Sequence, residues 1–173
     1  KDIVSGDFFW MYDGGNRKYI AVVDCTGHGV PGAFMSIIGH NSLNKIVREY
    51  SITRPSEILN HLHEEVVQAL LQHSDRAVRD GMDISIIAYD ADTGMVEYAG
   101  AFHPLYHVHN GVVDTIRADR FSIGFSETWE SVYFTNHVIN VEKGDMLYMC
   151  SDGYADQFGG GDDRKFKTGR IKE

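Results

Sequence analysis

Val22-Val23-Asp24-Cys25-Thr26-Gly27-His28-Gly29-Val30-Pro31-Gly32-Ala33-Phe34-Met35-Ser36 begins as a buried strand, becomes a loop with two glycines around a histidine, and then opens a long helix. Asp24 stands where the apolar run stops. A carboxylate at the end of a buried strand is costly to desolvate unless a positive group compensates it, and a metal ion is the usual answer. Asp24 therefore implies partners elsewhere in the chain.

On the N-terminal side, Phe8-Phe9-Trp10-Met11-Tyr12 is strand-like, being aromatic and bounded by turn residues. Gly6, just before it, predicts a bulge or a close backbone approach. Asp13-Gly14-Gly15-Asn16 is a hairpin signal, and Lys18 to Val23 is the return strand, apolar enough to be buried on both faces. Asp7 lies about eight residues before the turn centre and Asp24 about nine after it, so the hairpin sets them nearly opposite each other. On the C-terminal side, Pro31 to Glu49 reads as a helix, with Phe34, Ile37, Ile38, Leu43, Ile46 and Val47 at helical spacing. A second helix runs from Pro55 to Gln72, with Ile58, Leu59, Leu62, Val66 and Leu70 on one face. The remainder reads as strands: Met82–Tyr89, Met95–Ala99, Pro104–His109, Val112–Ile116, Trp129–Val141 and a short buried Met146–Cys150. Antiparallel strands with a helix pair inserted early predict an α+β domain.

The 173 residues suffice for one domain with a sizeable core. A net charge of −9, from 25 acidic and 16 basic residues, argues against a non-specific nucleic-acid binder. It suits an acidic cluster that takes divalent cations. Cys25 and Cys150 read as small core residues of a reducing compartment rather than a disulfide. No run has the length of a transmembrane helix and no signal peptide is evident, so the expectation is a cytoplasmic domain without membrane contact. The start at Lys1 and the charged stretch from Arg164 to Glu173 read as those of a piece of a longer protein.

Three segments share one design. Asp7 in Ser-Gly-Asp, Asp24 in Val-Val-Asp and Asp152 in Cys-Ser-Asp-Gly each place a carboxylate at an apolar strand with glycine near it. Carboxylates and carbonyls are the hard oxygen ligands that Mg²⁺ and Mn²⁺ prefer. Two such ions about 3.5–4 Å apart clamp a phosphoryl group and acidify a water. Taken singly, an aspartate beside glycine is most often a turn former, and Gly27 to Gly32 reads either as a tight loop or as an anion site at a helix start. The joint pattern carries the metal reading.

Five ordered motifs strengthen it: Ser5-Gly6-Asp7-Phe8-Phe9, Asp24 through Ala33, Asp80-Gly81-Met82-Asp83, Tyr98-Ala99-Gly100-Ala101-Phe102-His103-Pro104, and Ser151-Asp152-Gly153. In this order they resemble the bacterial PPM-type serine/threonine phosphatases, the stage II sporulation protein E and RsbU-like relatives of the type 2C phosphatases. The resemblance implies an α-β-β-α sandwich of two antiparallel sheets flanked by helices. It implies a centre of two Mn²⁺ or Mg²⁺ ions, and hydrolysis of phosphoserine or phosphothreonine on a regulatory protein, typically an anti-sigma-factor antagonist. An upstream sensor domain is a common fusion in the family. By the same resemblance Asp24 bridges both metals, the carbonyl of Cys25 is a further ligand, and Asp7 and Asp152 complete the set. A fourth aspartate of the family, in an Asp-Asp pair before its last strand, is not matched by Asp162-Asp163, so the chain reads as truncated at its C-terminus. Asp80 and Asp83 read as structural, and His28 as orienting water or phosphate or as bracing the loop. His61 and His63 point to different helix faces. His103 lies in the later strands without an assigned role, and His107 and His109, which share a face with no evident cysteine or carboxylate partner, read as surface residues.

Two other functions fit less well. A non-catalytic phosphoprotein-binding module on the same fold is the alternative. A nuclease needs basic residues near the acidic cluster, and only Arg17 and Lys18 lie in the adjacent hairpin.

Overall fold

The computed structural model describes residues 5–73, 80–124, 132–159 and 164–172. Strands β1 (Phe8–Asp13) and β2 (Arg17–Cys25) form the first hairpin, with Gly15 in the left-handed region at its turn (φ 84°). Helix α1 (Gly29–Asn44) continues through a π-helical turn, Lys45–Glu49, and is followed by α2 (Pro55–His73). Strands β3 (Met82–Asp90) and β4 (Met95–Ala101) come next, then the hairpin β5 (Leu105–His109) and β6 (Val112–Ile116). The chain continues through β7 (His137–Asn140), β8 (Met146–Tyr148), the short helix α3 (Asp152–Ala155) and the two-residue strands β9 (Phe158–Gly159) and β10 (Arg164–Lys165), before a 3₁₀ turn at Thr168–Lys172.

All sheets are antiparallel. The largest has the order β1-β2-β3-β4-β7, the second β6-β5-β8, and β9 pairs with β10. One core lies between the helices and the large sheet, with Trp10, Tyr19, Ala21 and Val23 of the first hairpin meeting Met35, Leu43, Ile58, Leu59, Leu62 and Val66. A second core joins the two sheets, where Ile87, Val96, Tyr98 and Ile139 pack against Leu105, Ile116 and Leu147. This is the mixed α/β architecture of antiparallel sheets and helices that the strand pattern predicts, layered as helices, sheet and sheet in line with the sandwich that the resemblance implies.

Some local expectations are corrected. β2 is not buried on both faces. Residues 19, 21, 23 and 25 are buried while 18 is exposed and 20, 22 and 24 are partly accessible, because the smaller sheet covers only part of that side. The buried face of α1 is Gly32, Met35, Gly39, Ser42 and Leu43, one step round from the apolar stripe, and Phe34 and Ile37 are exposed. Small residues decide this: a Cβ on Gly39 would sit 3.0 Å from the Met82 side chain and 3.2 Å from Phe8, so close approach of the helix to the sheet outweighs burial of the larger side chains. The expected strand over 129–141 is regular only at His137–Asn140 among the described residues. β8 is an edge strand with Met146 and Tyr148 exposed, not a buried one. Cys25 and Cys150 are free thiols, Cys25 buried and Cys150 partly so.

Candidate metal centre

The β1–β2 register pairs Phe8 with Val23, so Asp7 and Asp24 are the next pair outward, as the hairpin count predicts. The register on the other side of β2 pairs Asp24 directly with Asp83. Partners in an antiparallel ladder project to the same face. Three aspartates therefore stand in a row across β1, β2 and β3 at one end of the sheet.

Asp152, the first residue of α3, joins them from the C-terminal part of the chain. Ser151 Oγ donates to Asp7 Oδ2 at 2.8 Å. Asp24 lies within hydrogen-bonding reach of both Asp7 and Asp152. Burial, followed by the charges of Asp7 and Asp152, pushes the Asp24 carboxyl up to about 7. The Asp83 carboxyl is also raised, chiefly by burial, although Ser122 Oγ donates to it.

The loop that carries Asp24 is held by close backbone packing. A Cβ on Gly6 would meet the Cys25 carbonyl oxygen at 2.8 Å and the Gly27 oxygen at 3.2 Å, and one on Gly32 would meet the Gly27 oxygen at 2.7 Å. Only glycine lets these three segments touch. The Cys25 carbonyl thus lies beside the backbone that carries Asp7, while burial raises its thiol to about 12 and leaves it an inert core group. Thr26 N–H donates to the Gly81 carbonyl and Gly81 N–H to Thr26 Oγ1, which fixes the Asp24 loop to the start of β3. His28 is exposed, caps α1 with its backbone and bridges to Ser5; of its two expected uses, bracing the loop is the one this placement displays. Asp80 lies in the neighbouring loop, while Asp162 and Asp163 fall outside the described residues.

His103 is a residue to which the sequence reading gave no role and which the structure places beside the aspartate row. It is 8% exposed, its Nε2 lies 3.8 Å from Asp24 Oδ2, and its Nδ1 is buried without a hydrogen-bond partner. Burial lowers its pKa, against the charges of Asp83, Asp152 and Asp7. The turn that delivers it is strained, with Phe102 in the left-handed region (φ 57°), a conformation that costs a non-glycine residue about 1–2 kcal/mol. Tyr98 Oη donates to the His103 carbonyl at 2.7 Å, and backbone bonds between Asp119 and both Gly100 and Phe102 complete the support. The signal available in sequence was the Ala99-Gly100-Ala101 run before it: a Cβ on Gly100 would overlap the Tyr98 hydroxyl.

The donor set fits a hard divalent cation. Asp7 and Asp152 are exposed and Asp24 is partly buried, so the row is open to solvent at one end and desolvated at the other. The charge that raises Asp24 is like charge, and a bound cation relieves both that repulsion and the burial cost. Arg17 and Lys18 are at the far end of β2, where Arg17 pairs with Glu97 and Lys18 with Asp13, and neither lends the row the basic character that a nuclease needs.

Comparison with known proteins finds similar sequences and folds. The family model of stage II sporulation protein E matches residues 14–171. The phosphoserine phosphatase RsbU of Bacillus subtilis (strain 168) is 27% identical over 160 residues, covering 87% of this chain and 42% of that protein. The SiaA-PP2C domain of Pseudomonas aeruginosa superposes with a TM-score of 0.82 at 28% identity, over 99% of this chain and 65% of that one. RsbX, whose crystal structure is of a complex with magnesium, superposes with a TM-score of 0.61 over 88% of this chain and 69% of that one; at 17% identity the likeness speaks for the fold alone. The chain spans less than half the length of the curated relative that it matches. No helix among the described residues is long and apolar enough to cross a membrane.

Proposed function

The chain belongs to the stage II sporulation protein E family, and from that membership we propose that the acid row is the metal centre of a protein serine/threonine phosphatase. The observation that carries the reading is Asp24, whose carboxyl is raised to about 7 first by burial and then by the like charges of Asp7 and Asp152. Such a carboxylate has little structural use and a direct use as a shared ligand. Asp7, Asp24, Asp152 and the Cys25 carbonyl would hold Mn²⁺ or Mg²⁺, two ions with Asp24 common to both. Bound there, the ions supply positive charge for the phosphoryl oxygens and a more acidic water.

The protein's own groups hold this arrangement in place. Ser151 engages one oxygen of Asp7 and Ser122 one oxygen of Asp83, so neither carboxylate must be ordered when a ligand arrives. His103, kept neutral by burial, backs Asp24 without adding a competing charge. The exposed rim of Asp7, Thr26, Gly27, His28 and Asp152 suits a phosphoryl group presented on a protein surface. We read the substrate as phosphoserine or phosphothreonine on a regulatory protein of the anti-sigma-factor-antagonist kind. Residues 1–173 act as one phosphatase domain in the cytoplasm, part of a longer signalling chain with a sensor domain upstream. Helix α1 starts at the Asp24 loop, so a sensor acting on α1 and α2 reaches the centre directly.

The test is release of inorganic phosphate from phosphoserine and phosphotyrosine peptides, with Mn²⁺ and with EDTA. Turnover of the phosphoserine peptide that requires Mn²⁺ is the expected result. Turnover that survives EDTA, or a preference for phosphotyrosine, overturns the proposal; tight phosphopeptide binding with no release favours the binding module instead.

A further inference from the structure

We propose that His107, His109 and Asp145 form a second metal site, separate from the acid row and suited to zinc. His107 and His109 lie two residues apart on β5, on the same face as Leu105, which is buried in the inter-sheet core. The apolar face thus continues into two imidazoles at the rim of the sandwich. The β5–β8 register pairs Val108 with Met146, so Asp145 is the next residue outward, opposite His109. From Leu105 to His109 the strand runs about 13 Å, away from His103 and the acid row.

The three side chains converge. His107 Nε2 is 2.8 Å from Asp145 Oδ2, and His109 Nδ1 is 2.6 Å from Asp145 Oδ1. The donor atoms of all three lie within 4.8 Å of one another, a distinction that no other set of histidine, cysteine and acidic residues shows among the described residues. Their side chains are 11%, 37% and 7% exposed, so the cluster is shielded with one side open. Two imidazoles and one carboxylate are the ligands of a borderline-soft ion, whereas Mg²⁺ takes oxygen. Zinc uses three protein ligands of these kinds at about 2.0–2.2 Å and a water in the fourth position. The open side at His109 leaves room for that water.

The surrounding groups are those that a histidine–carboxylate metal site uses. Glu142 N–H donates to Asp145 Oδ2 at 2.9 Å and fixes the carboxylate. Asn110, placed by the left-handed turn Asn110-Gly111 (φ 50° at Asn110), sits 2.7 Å from His109 Nε2. Without metal, both ring nitrogens that face Asp145 carry the proton and share its carboxylate. With metal, each ring moves its proton to the nitrogen away from Asp145, His107 to Nδ1 and His109 to Nε2, and the His109 Nε2–H then donates a hydrogen bond to the Asn110 side-chain oxygen once that amide has rotated by half a turn. Asp114, opposite His107 in the ladder, and Glu142 add negative charge nearby. A filled site clamps the turn before β8 onto β5 and locks the smaller sheet.

Zinc titration of the whole chain in excess Mg²⁺, which occupies hard-oxygen sites, tests the assignment by calorimetry and by imidazole ¹⁵N NMR. One equivalent of zinc is expected, with Nε2 of His107 and Nδ1 of His109 shifting to metal-bound values. The paired substitution His107→Gln with His109→Gln is expected to weaken that binding by more than about tenfold without changing Mn²⁺-dependent phosphate release. Zinc binding that leaves the ring resonances of His107 and His109 unmoved overturns the assignment even if the variant does not fold. So does a folded variant that binds zinc as tightly as the wild type. Neither result bears on whether the acid row is a phosphatase centre.

Discussion

Asp24 ionises near neutral pH because burial and the charges of Asp7 and Asp152 oppose its negative form. In the cation-free domain the native state therefore holds a proton that the unfolded chain releases near pH 4. The stability that this proton brings is present below about pH 4 and is lost as pH rises through about 7. His103, lowered by burial, acts with the opposite sign, so the Asp24 contribution is best read by difference. Asp24→Asn is expected to melt higher than the wild type in EDTA, with the gap widening from pH 5 to pH 8, each 1 kcal/mol appearing as about 2–4 °C. With Mn²⁺ present the order reverses, because the variant gains nothing from the ion. A gap that narrows as pH rises would contradict the assignment of charge to this group. His103→Ala is expected to weaken Mn²⁺ binding by about tenfold, the effect of an outer-shell partner; unchanged affinity by calorimetry would leave His103 a core residue only.

The strand-to-helix loop works because three backbone segments touch. Gly6→Ala places a methyl group 2.8 Å from the Cys25 carbonyl oxygen, and nothing flexible can yield. The expected cost is about 1–3 kcal/mol, with weaker Mn²⁺ binding as β1 moves away from β2. Chemical denaturation and calorimetry on the same sample check both effects. Tyr98→Phe removes the buried bond to the His103 carbonyl and is expected to cost about 1–3 kcal/mol. The sequence made much of this visible. Hairpin counting placed Asp7 opposite Asp24, and Gly6 announced a close approach. The face of α1 was not visible, because Gly39 looks like a poor core residue until Met82 and Phe8 are seen against it. The pairing of Asp24 with Asp83 depends on a ladder between strands 59 residues apart in register. The His109–Asp145 contact spans 36 residues. Neither leaves a periodic trace in the chain.

The molecule sets its aspartate row at one end of a two-sheet sandwich and the cluster of His107, His109 and Asp145 at the rim of the smaller sheet. Leu105, fully buried in the inter-sheet core, ties the strand that carries His107 and His109 to the large sheet. Leu105→Ala is expected to lower stability by about 2–5 kcal/mol, measured by urea unfolding. The antiparallel α+β pattern was legible from strand and helix periodicity, and the meeting of Asp7, Asp24 and Asp152 from three aspartates in like settings. What periodicity did not convey was that Asp83 and His103 stand beside Asp24, which holds only once the strands are assembled. The claim on which the rest depends is that the row of aspartates binds a metal. Anomalous diffraction from a crystal soaked in Mn²⁺ tests it most directly. The account predicts manganese peaks within about 2.2 Å of carboxylate oxygens of Asp7, Asp24 and Asp152, lost in Asp24→Asn. Full soaking with no peak at Asp24, or a peak that survives that substitution unchanged, would contradict it.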